Sequence, residues 1–485
     1  MPRRQVRLRS DDRAVDTAVR DGLAALRAEL AIPDEFPPPV SDEARRVAEA
    51  DPHAGDDRRD ARDLPLLTID PEGSRDLDQA LHLERRGDGF RVHYAIADVA
   101  AWVVPGRAID DEARRRVTTL YAPDRRTPLH PPRLSEGAAS LLPGQDAPAL
   151  LWQIDLDGDG MPQAVHVGRA MVRSDRRLSY EQAQGLVDGS RDGGEPDGPL
   201  GLLRTVGLLR QAAERERGGI TLPTPEQVVE RRDGAWVLAS RSTLPVEEWN
   251  AQISLLTGIS AARLMLDARV GILRTLPAAD DRDVARLRRA ALALGVDWPV
   301  GTDVGDVLRG LDAARPAHAA VLTEATTLLR GAAYAAFDGA PPEHPGHGAI
   351  AAPYAHVTAP LRRLVDRFAE EVCVAVSAGS DPADWVRAAL PDLPARMAEG
   401  DRRASAYERG CLDLVEAAVL AGRQGEVFRG AVVDVRDDGA TGVVQLREPV
   451  VRARVGGAGL PLGEEVDVRL AEVDVARRLV RFEVA

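Results

Sequence analysis

The stretch TIDPEGSRDLDQA, at residues 68–80, decides what we expect of this chain. The apolar run LPLL that leads into it predicts a buried strand ending at Asp70. A Pro-Gly turn follows, and then Asp76 and Asp78, which an extended chain directs to the same side. Three carboxylates brought together raise one another's pKa unless a cation joins them. The stretch therefore predicts a site for a hard divalent cation such as Mg²⁺, which also leaves positions open for phosphate oxygens.

An Asp-rich turn on a solvated loop is the alternative interpretation of the same residues. The apolar strand directly before the turn favours the metal site, because it fixes the carboxylates at the edge of a core. Two divalent cations close together would support in-line attack of water on a phosphodiester.

A second candidate site is YAHVTAPLRRLVDR, at residues 354–367. Proline is favoured in the first turn of a helix, so we expect a helix to begin near Pro360. Arg362 and Arg363 would then lie in that first turn, where the helix dipole favours acidic residues. The arginine pair is therefore better explained by phosphate binding than by helix stability. Ordinary salt bridges at the surface are the alternative.

The composition restricts the possible chemistry. All 63 basic residues among the 485 are arginine, and the chain has no lysine. Mechanisms that need lysine are excluded, among them the Walker-type phosphate loop, Schiff-base catalysis and the Ser-Lys dyad. Any cationic side chain that binds phosphate must be a guanidinium. The net charge of −14 argues against a non-specific nucleic-acid coat, but it does not exclude an enclosed basic channel.

The two cysteines, Cys373 and Cys411, are too few for a disulfide framework or a Cys-rich zinc site. They fit a reducing cytosol, so we expect a cytoplasmic protein. The basic start of the chain leads into no apolar run, and we expect no signal peptide. No run approaches the roughly 18 apolar residues of a membrane span, so no membrane contact is expected.

The sequence predicts an α+β fold in three parts. Residues 1–60 are expected to form a helical N-terminal region and linker, and residues 61–423 a large domain with both candidate sites. Residues 424–485 are expected to form a small β-barrel, since short strands alternate there with Gly and Asp turns. Hairpins are expected at the turns GDG and DGDG, near residues 88 and 158. Helical periodicity predicts helices over residues 200–217, 245–268, 281–295, 303–336, 360–377 and 393–422.

Together these motifs resemble the ribonuclease II family of exoribonucleases, whose catalytic domain is called RNB. The resemblance covers roughly residues 60–423, and the tail is similar to the family's OB-type RNA-binding domain. It depends on separate motifs that occur in the family's order: TIDPEGSRDLDQA, the long segment from YAIADV to SLLPG, LSYEQAQ, ERERGGITLPTPE, LPVEEWNAQI and YAHVTAPLRRLVDR.

The resemblance implies that Asp70, Asp76 and Asp78 hold the metal and that Asp76 and Asp78 act in catalysis. The family's metal segment ends with a further aspartate, and Gln79 stands at that position here. Gln79 offers a neutral carbonyl oxygen, so one metal position loses a full charge. Metal affinity or rate should then fall, unless another carboxylate compensates. Asp98 is our suggestion for that carboxylate.

The resemblance also implies contacts with RNA. Tyr121 matches the tyrosine that stacks on the 3′-terminal base region, and Tyr180 matches another RNA-contacting tyrosine. Arg362 matches the arginine that holds the scissile phosphate, with Arg363 beside it, and Glu408 matches a glutamate near the active site. The N-terminal region is too short and too helical for the family's paired cold-shock domains, so the RNA entrance should be built differently.

We therefore expect a processive 3′→5′ exoribonuclease that hydrolyses single-stranded RNA to nucleoside 5′-monophosphates with Mg²⁺, or with Mn²⁺ in its place. The alternative is an RNA-binding member of the family with weak or lost catalysis because of Gln79. A third hypothesis is a metal-dependent phosphoesterase on small substrates, which would not retain RNA at moderate salt. A monomer is favoured, although the sequence does not determine the oligomeric state.

Overall fold

The computed structural model describes residues 13–50, 58–189, 198–223, 226–232 and 235–485. The described chain starts with two helices, α1 (Arg13–Glu29) and α2 (Pro38–Glu49). The helical period of the sequence predicts both of them. Prolines occupy the first turn of α2, where the missing N–H groups would have no helical partner anyway. Residues 51–57, in the expected linker, lie outside the described residues.

A mixed sheet follows, and its strands pair in the order β1-β8-β2-β3-β4-β7, with β8 also paired to β7. The elements of this part are β1 (Arg59–Asp60), β2 (Leu66–Asp70), β3 (Gln79–Arg86), β4 (Gly89–Ala97), a 3₁₀ turn (Val99–Ala101), α3 (Ala108–Arg116), β5 (Leu120–Tyr121), β6 (Arg126–Thr127), a π-helical turn (Leu134–Ala138), β7 (Asp146–Leu156) and β8 (Pro162–Ser179). The predicted buried strand is β2. The two predicted hairpins are β3–β4 and β7–β8.

Helices dominate the next part of the chain, as expected. Its elements are α4 (Tyr180–Gly189), α5 (Pro199–Glu216), β9 (Glu226–Arg232), β10 (Ala235–Arg241), α6 (Pro245–Ala268), β11 (Val270–Thr275), α7 (Asp281–Ala293), α8 (Val304–Arg309), α9 (Pro316–Ala325), a 3₁₀ turn (Thr326–Leu329), β12 (Ala333–Asp338), β13 (Gly346–His347), β14 (Ala352–Pro353), α10 (Leu364–Ser377), α11 (Asp384–Ala389) and α12 (Leu393–Leu420).

The predicted helix over 303–336 is wrong. That stretch contains two short helices, and Pro316 starts the second of them. Gly331 then adopts a positive φ of 91°, and the Ala-rich segment AYAAFD continues as strand β12. β12 pairs antiparallel with β11, which the sequence did not indicate. Alanine favours a helix, but pairing with a partner strand outweighs that local preference.

The predicted C-terminal barrel is confirmed. It consists of β15 (Val427–Val435), β16 (Thr441–Leu446), β17 (Arg452–Gly456), β18 (Glu465–Asp474) and β19 (Leu479–Val484). The strands close in the order β15-β16-β17-β19-β18, so no edge strand is left exposed. The whole is an α+β fold, whose proposed division at residues 60 and 423 stays a prediction.

The central sheet is covered on both faces. Trp152 and Tyr94 belong to a core that they share with Phe368 of α10. Ala149, on the same strand as Trp152, belongs to a second core that includes Val40 of α2. The middle of the sheet is thus packed on both faces, and the polar turn after β2 follows directly from this core.

The two cysteines lie on different helices, Cys373 on α10 and Cys411 on α12. Both thiols are free and buried, and burial raises the pKa of each above its usual value. Within the described chain, no helix is long and apolar enough to cross a membrane.

Glu416, on α12, joins the helical part to the barrel. The carboxyl oxygen Oε1 accepts hydrogen bonds from Nε2 of Gln227 and from the backbone N–H of Arg452, each at 2.9 Å. The side chain is buried, with 5% of the residue surface exposed. Burial is the main cause that raises the pKa of Glu416 to about 7. The folded protein therefore favours the neutral carboxyl more than the unfolded chain does.

We expect Glu416→Gln to reduce the loss of stability at high pH. An acid with a raised pKa in the folded state stabilises fully below its unfolded pKa, and this stability is lost as the pH rises through about 7. Relative to the native chain, E416Q should gain about 2 kcal/mol of unfolding free energy between pH 5 and pH 8. Urea unfolding at both pH values measures this, with the exposed Glu464→Gln as control. An equal pH dependence in E416Q and the native chain would contradict the prediction.

Candidate active site

The two motifs singled out in the sequence lie against each other in the fold. Asp78 is 4% exposed, and its Oδ1 accepts the backbone N–H of Leu361 at 2.7 Å. Its other oxygen, Oδ2, lies 3.5 Å from Nε of Arg362. A carboxylate of the first motif therefore holds the segment of the second motif that carries the arginines.

The predicted helix start near Pro360 is wrong, since α10 begins at Leu364. Arg363 has an extended backbone, with φ −142° and ψ 121°, and it bridges to Thr118 of a neighbouring segment. The N–H of Leu364 donates to the carbonyl of Val117. Because this pairing holds the chain extended, the two arginines precede the helix and are not in its first turn.

The neighbouring arginines have different surroundings. Arg363 binds both carboxylate oxygens of the fully buried Asp366, at 2.6 and 2.8 Å. The side chain of Arg362 is 49% exposed and lies beside Asp78. Of the two guanidiniums, that of Arg362 is thus the one open to an incoming phosphate, while Arg363 fastens the loop to α10.

Asp70 and Asp78 are both shielded from water. Burial raises the pKa of Asp70 to about 6 and that of Asp78 to about 8, against an opposing influence of the Arg362 charge. The negative charge of Asp76 raises both values further. Asp78 therefore retains its proton at neutral pH unless a cation compensates the charge, whereas Asp70 loses its proton as the pH rises through about 6.

Asp76 already has a cationic partner. The guanidinium of Arg126, on β6, lies 2.5 Å from Oδ1 of Asp76 and 2.8 Å from Oε1 of Glu136. The sequence analysis missed Arg126, because 50 residues separate it from Asp76 and only the fold brings them together. An ion bound at the aspartates would compete with Arg126 for this carboxylate.

Gln79 opens β3 and points its side-chain amide at the second motif. Its Nε2 donates a short hydrogen bond to the backbone carbonyl of Thr358. A carboxylate has no proton to donate, so an aspartate at this position could not make this bond. The amide leaves only a neutral oxygen, Oε1, as a possible metal ligand.

Ser140 supports the turn that carries the aspartates, a role that the sequence did not indicate. It is fully buried, and its hydroxyl donates to the carbonyl of Arg75 at 2.6 Å. The same hydroxyl oxygen accepts the N–H of Leu77 at 2.9 Å. The backbone on either side of Asp76 is therefore fixed from across the fold.

Asp98 does not compensate for Gln79, contrary to our suggestion. It is 1% exposed, and one of its oxygens lies 2.7 Å from Arg169 and 2.9 Å from Arg58. Its other oxygen accepts the N–H of Ala101 at the start of a 3₁₀ turn. Two guanidiniums and a backbone cap already satisfy this carboxylate.

The remaining residues that the resemblance implied are separated by the fold. Tyr121, on β5, is 53% exposed, and the charges of Arg362 and Asp76 act on its hydroxyl. The charges of Asp70 and Arg362 act on the hydroxyl of Tyr180 in the same way. Glu408 is exposed on α12, and no contact described for it joins it to the site aspartates. The structure thus brings both tyrosines to the site and leaves Glu408 outside it.

The donor set can be compared with the needs of a divalent cation. Within the described residues, no three His, Cys, Asp or Glu side chains are grouped closely enough to hold a metal. Asp70 and Asp78 nevertheless fit a hard cation chemically, since Asp78 is buried, Asp70 is partly buried, and both carboxyls have raised pKa values. Oδ1 of Asp76 is bound to Arg126, so Asp76 could join them through its other oxygen or by leaving Arg126.

The sequence pattern of the RNB domain matches residues 58–376, which is more than half of the chain. The pattern of the RNase II-type exonuclease C-terminal S1 domain matches residues 426–485. The chain therefore belongs to the RNB, or ribonuclease II, family of exoribonucleases, as its motifs indicate. Exoribonucleases of this family are generally dependent on divalent metal ions.

Ribonuclease R of Escherichia coli (strain K12) is 29% identical over 499 residues, which cover 93% of this chain and 60% of that relative. The chain thus spans less than two thirds of the relative's length. Mycoplasma genitalium RNase R in its apo form has a TM-score of 0.85 at 19% identity, covering 96% of this chain and 78% of that one. Yeast Ssd1, a pseudonuclease, has a TM-score of 0.68 at 18% identity, covering 87% and 52%. At these identities the two solved structures show a shared fold alone.

We expect Gln79→Asp to bind divalent cations more tightly than the native chain. The new carboxylate adds a charge beside Asp78 and gives up the hydrogen bond to Thr358, so Mn²⁺ affinity should rise about tenfold or more. Calorimetric titration with Mn²⁺ at pH 8 measures this without RNA. Gln79→Asn, which has the size of aspartate but no charge, should show no such gain. Equal Mn²⁺ affinities for Q79D and Q79N would place this position away from the metal.

Proposed function

We propose that this chain is a 3′→5′ exoribonuclease that hydrolyses single-stranded RNA processively to nucleoside 5′-monophosphates with Mg²⁺, for which Mn²⁺ could substitute. The observation that carries the proposal is the position of the half-exposed Arg362 beside the buried carboxyl of Asp78. An open guanidinium next to buried acids suits a phosphodiester bound between an arginine and a cation. Membership of an exoribonuclease family supports the same reading. We propose that the protein acts as a monomer in a reducing cytoplasm.

In the proposed reaction, water attacks the phosphorus of the last phosphodiester and the bond to the 3′ oxygen of the preceding nucleotide breaks. The products are a nucleoside 5′-monophosphate and an RNA that is one nucleotide shorter, with a new 3′-hydroxyl. Arg362 would donate hydrogen bonds to the phosphate oxygens, whose negative charge grows in the transition state. Tyr121 would offer its exposed ring to the last base, since aromatic rings stack on any base.

The metal has a limited set of ligands in this proposal. Asp70 and Asp78 would hold it, with the neutral oxygen of Gln79 as a weak addition. When bound, the ion would polarise the phosphate oxygens as a Lewis acid. Asp76 would keep its partner Arg126 or exchange it for the ion, depending on which cation has the greater affinity.

A second candidate function is RNA binding with weak or lost catalysis. The specific observation that favours it is the hydrogen bond of Gln79 to Thr358, which fills the position of a family carboxylate with a donor. The ion pair of Asp76 with Arg126 further reduces the charge available to a metal. The surfaces that would bind RNA are the same in both proposals, so only turnover distinguishes them.

We expect Asp78→Asn to abolish shortening of RNA while single-stranded RNA still binds. The substitution removes a charge on which both the metal and Arg362 depend. The experiment incubates the chain with Mg²⁺ and a 5′-labelled single strand, and follows products on a denaturing gel and binding by fluorescence anisotropy. Asp88→Asn, at an exposed hairpin turn, is the matched control and should behave like the native chain.

Two outcomes of this assay decide between the proposals. Shortening from the 3′ end by the native chain, lost in D78N, supports the exoribonuclease. Binding without shortening by the native chain, with turnover gained in Q79D, would instead support the RNA-binding alternative. Near-native turnover in D78N would remove Asp78 from the catalytic site.

Replacing the two neighbouring arginines should separate catalysis from stability. Arg362→Ala should lower kcat by about 100-fold, because a donor to the transition-state charge is lost. Its unfolding temperature should stay near that of the native chain, since the side chain is half exposed. Arg363→Ala should lower the unfolding temperature instead, because it leaves the charge of the buried Asp366 without its cationic partner. The reverse pattern would contradict the assigned roles.

A further inference from the structure

The N-terminal helix α1 is built into the body of the protein. Val19, Leu23 and Leu26 are each at most 2% exposed, and they share a core with Leu120 of β5 and with α12. A Cβ placed on Gly22 would lie 2.6 Å from a methyl carbon of Leu414 on α12. The two helices therefore touch at Gly22, and a larger residue there would push α1 away from α12.

A partly buried ion pair connects α1 to the hairpin β5–β6. Nη1 of Arg27 lies 3.1 and 3.0 Å from the two carboxylate oxygens of Asp124, in the turn between the strands. The same nitrogen lies 3.4 Å from the hydroxyl of Tyr407 on α12. Arg27 is 9% exposed, so water screens this pair only weakly. The turn is thereby tied to the helix.

A second clamp fixes the segment that follows α1. Arg116, at the end of α3, donates to the carbonyl of Glu35 at 2.8 Å and to the carbonyl of Pro128 at 3.1 Å. Its guanidinium also lies 3.7 Å above the ring of Phe36. One buried arginine therefore joins residues 35 and 36 to the chain that leaves β6.

The opposite side of the hairpin faces the candidate active site. Arg126 binds Asp76, as described above. The backbone N–H of Thr119 and the hydroxyl of Thr118 both donate to the carbonyl of Arg362, each at 3.0 Å. The hairpin thus lies between the N-terminal helix and the residues that would act on phosphate.

We propose that α1 is a brace that positions the β5–β6 hairpin, with Arg27 and Asp124 as its positioning residues. Two-residue strands cannot hold a fixed position alone, so the hairpin depends on its anchors. The brace keeps the half-exposed Tyr121 and the cation of Arg126 beside the aspartates. The inference rests on the proposed function in that the positioned nucleotide is the 3′ end of a single-stranded RNA.

Hydrogen exchange on the full chain without RNA or metal tests the brace directly. Asp124→Ala removes the carboxylate that holds Arg27. Because the side chain of Asp124 is partly exposed, we expect the variant to fold. The amides of Thr119 and Leu129, which bond to Arg362 and to the Thr119 hydroxyl, should then exchange about tenfold faster. Asp124→Asn keeps an acceptor oxygen and should restore part of the protection.

Arg20→Ala is the matched control, because Arg20 lies on an exposed face of the same helix and pairs only locally with Asp16. It should leave the exchange of both hairpin amides unchanged. Unchanged exchange in D124A, at an unfolding temperature equal to the native one, would overturn the proposal. Equal acceleration in R20A would overturn it as well, since the effect would then be a general loosening of the helix.

The second readout is turnover of single-stranded RNA by the same variants. D124A should lower kcat/KM about tenfold, and D124N should recover part of this loss. R20A should keep the kcat/KM of the native chain. If D124A accelerates exchange but its turnover equals that of the native chain, the brace has no positioning role and the proposal fails. If the native chain does not shorten RNA, the proposed function fails. The brace is then tested by the hydrogen-exchange rates and the RNA affinities of the same variants.

Discussion

A hydrogen bond from the backbone N–H of Leu361 to Asp78 holds the candidate site together. It joins the turn after β2 to the segment before α10, two parts of the chain 283 residues apart. Because the carboxylate accepts a backbone donor, the loop cannot withdraw without leaving a buried oxygen unpaired, which costs about 1–3 kcal/mol. The half-exposed guanidinium of Arg362 is placed by this bond, and so is the charge that it would present to a phosphate in the proposed reaction.

Gln79 adds a second bond between the same two parts of the chain. Its amide ties the same segment to β3 through the carbonyl of Thr358, so the second motif is held by an acceptor on one side and a donor on the other. The additional bond ties the loop to β3, and in the proposed metal site a neutral amide at this position would bind a cation more weakly than a carboxylate. An amide at position 79 thus favours a fixed loop, and a carboxylate there would favour cation binding. The two candidate functions differ in which of these effects matters.

The absence of lysine is compatible with the way arginines are used here. Arg363 and Arg116 are structural, since each makes several directed bonds to carboxylates or carbonyls in the interior. Arg126 and Arg362 lie at the site and balance the charge of the aspartates. A planar guanidinium with several donors can serve both purposes. The charge of the aspartates is therefore balanced by Arg126 and Arg362, while Arg363 and Arg116 are used up in interior contacts.

The sequence by itself determined the strand before Asp70, the two hairpins, most helices, the C-terminal barrel and the family, because these depend on local periodicity, turn residues and ordered motifs. Only the tertiary structure decided that 333–338 is a strand, that Arg363 is fastened inside while Arg362 stays open, and that Asp98 is already paired. It also showed that Arg126 pairs with Asp76 and that α1 contacts the β5–β6 hairpin through Arg27 and Asp124. The physical reason is that each of these depends on partners distant in the chain, whose pairing and burial no local pattern encodes.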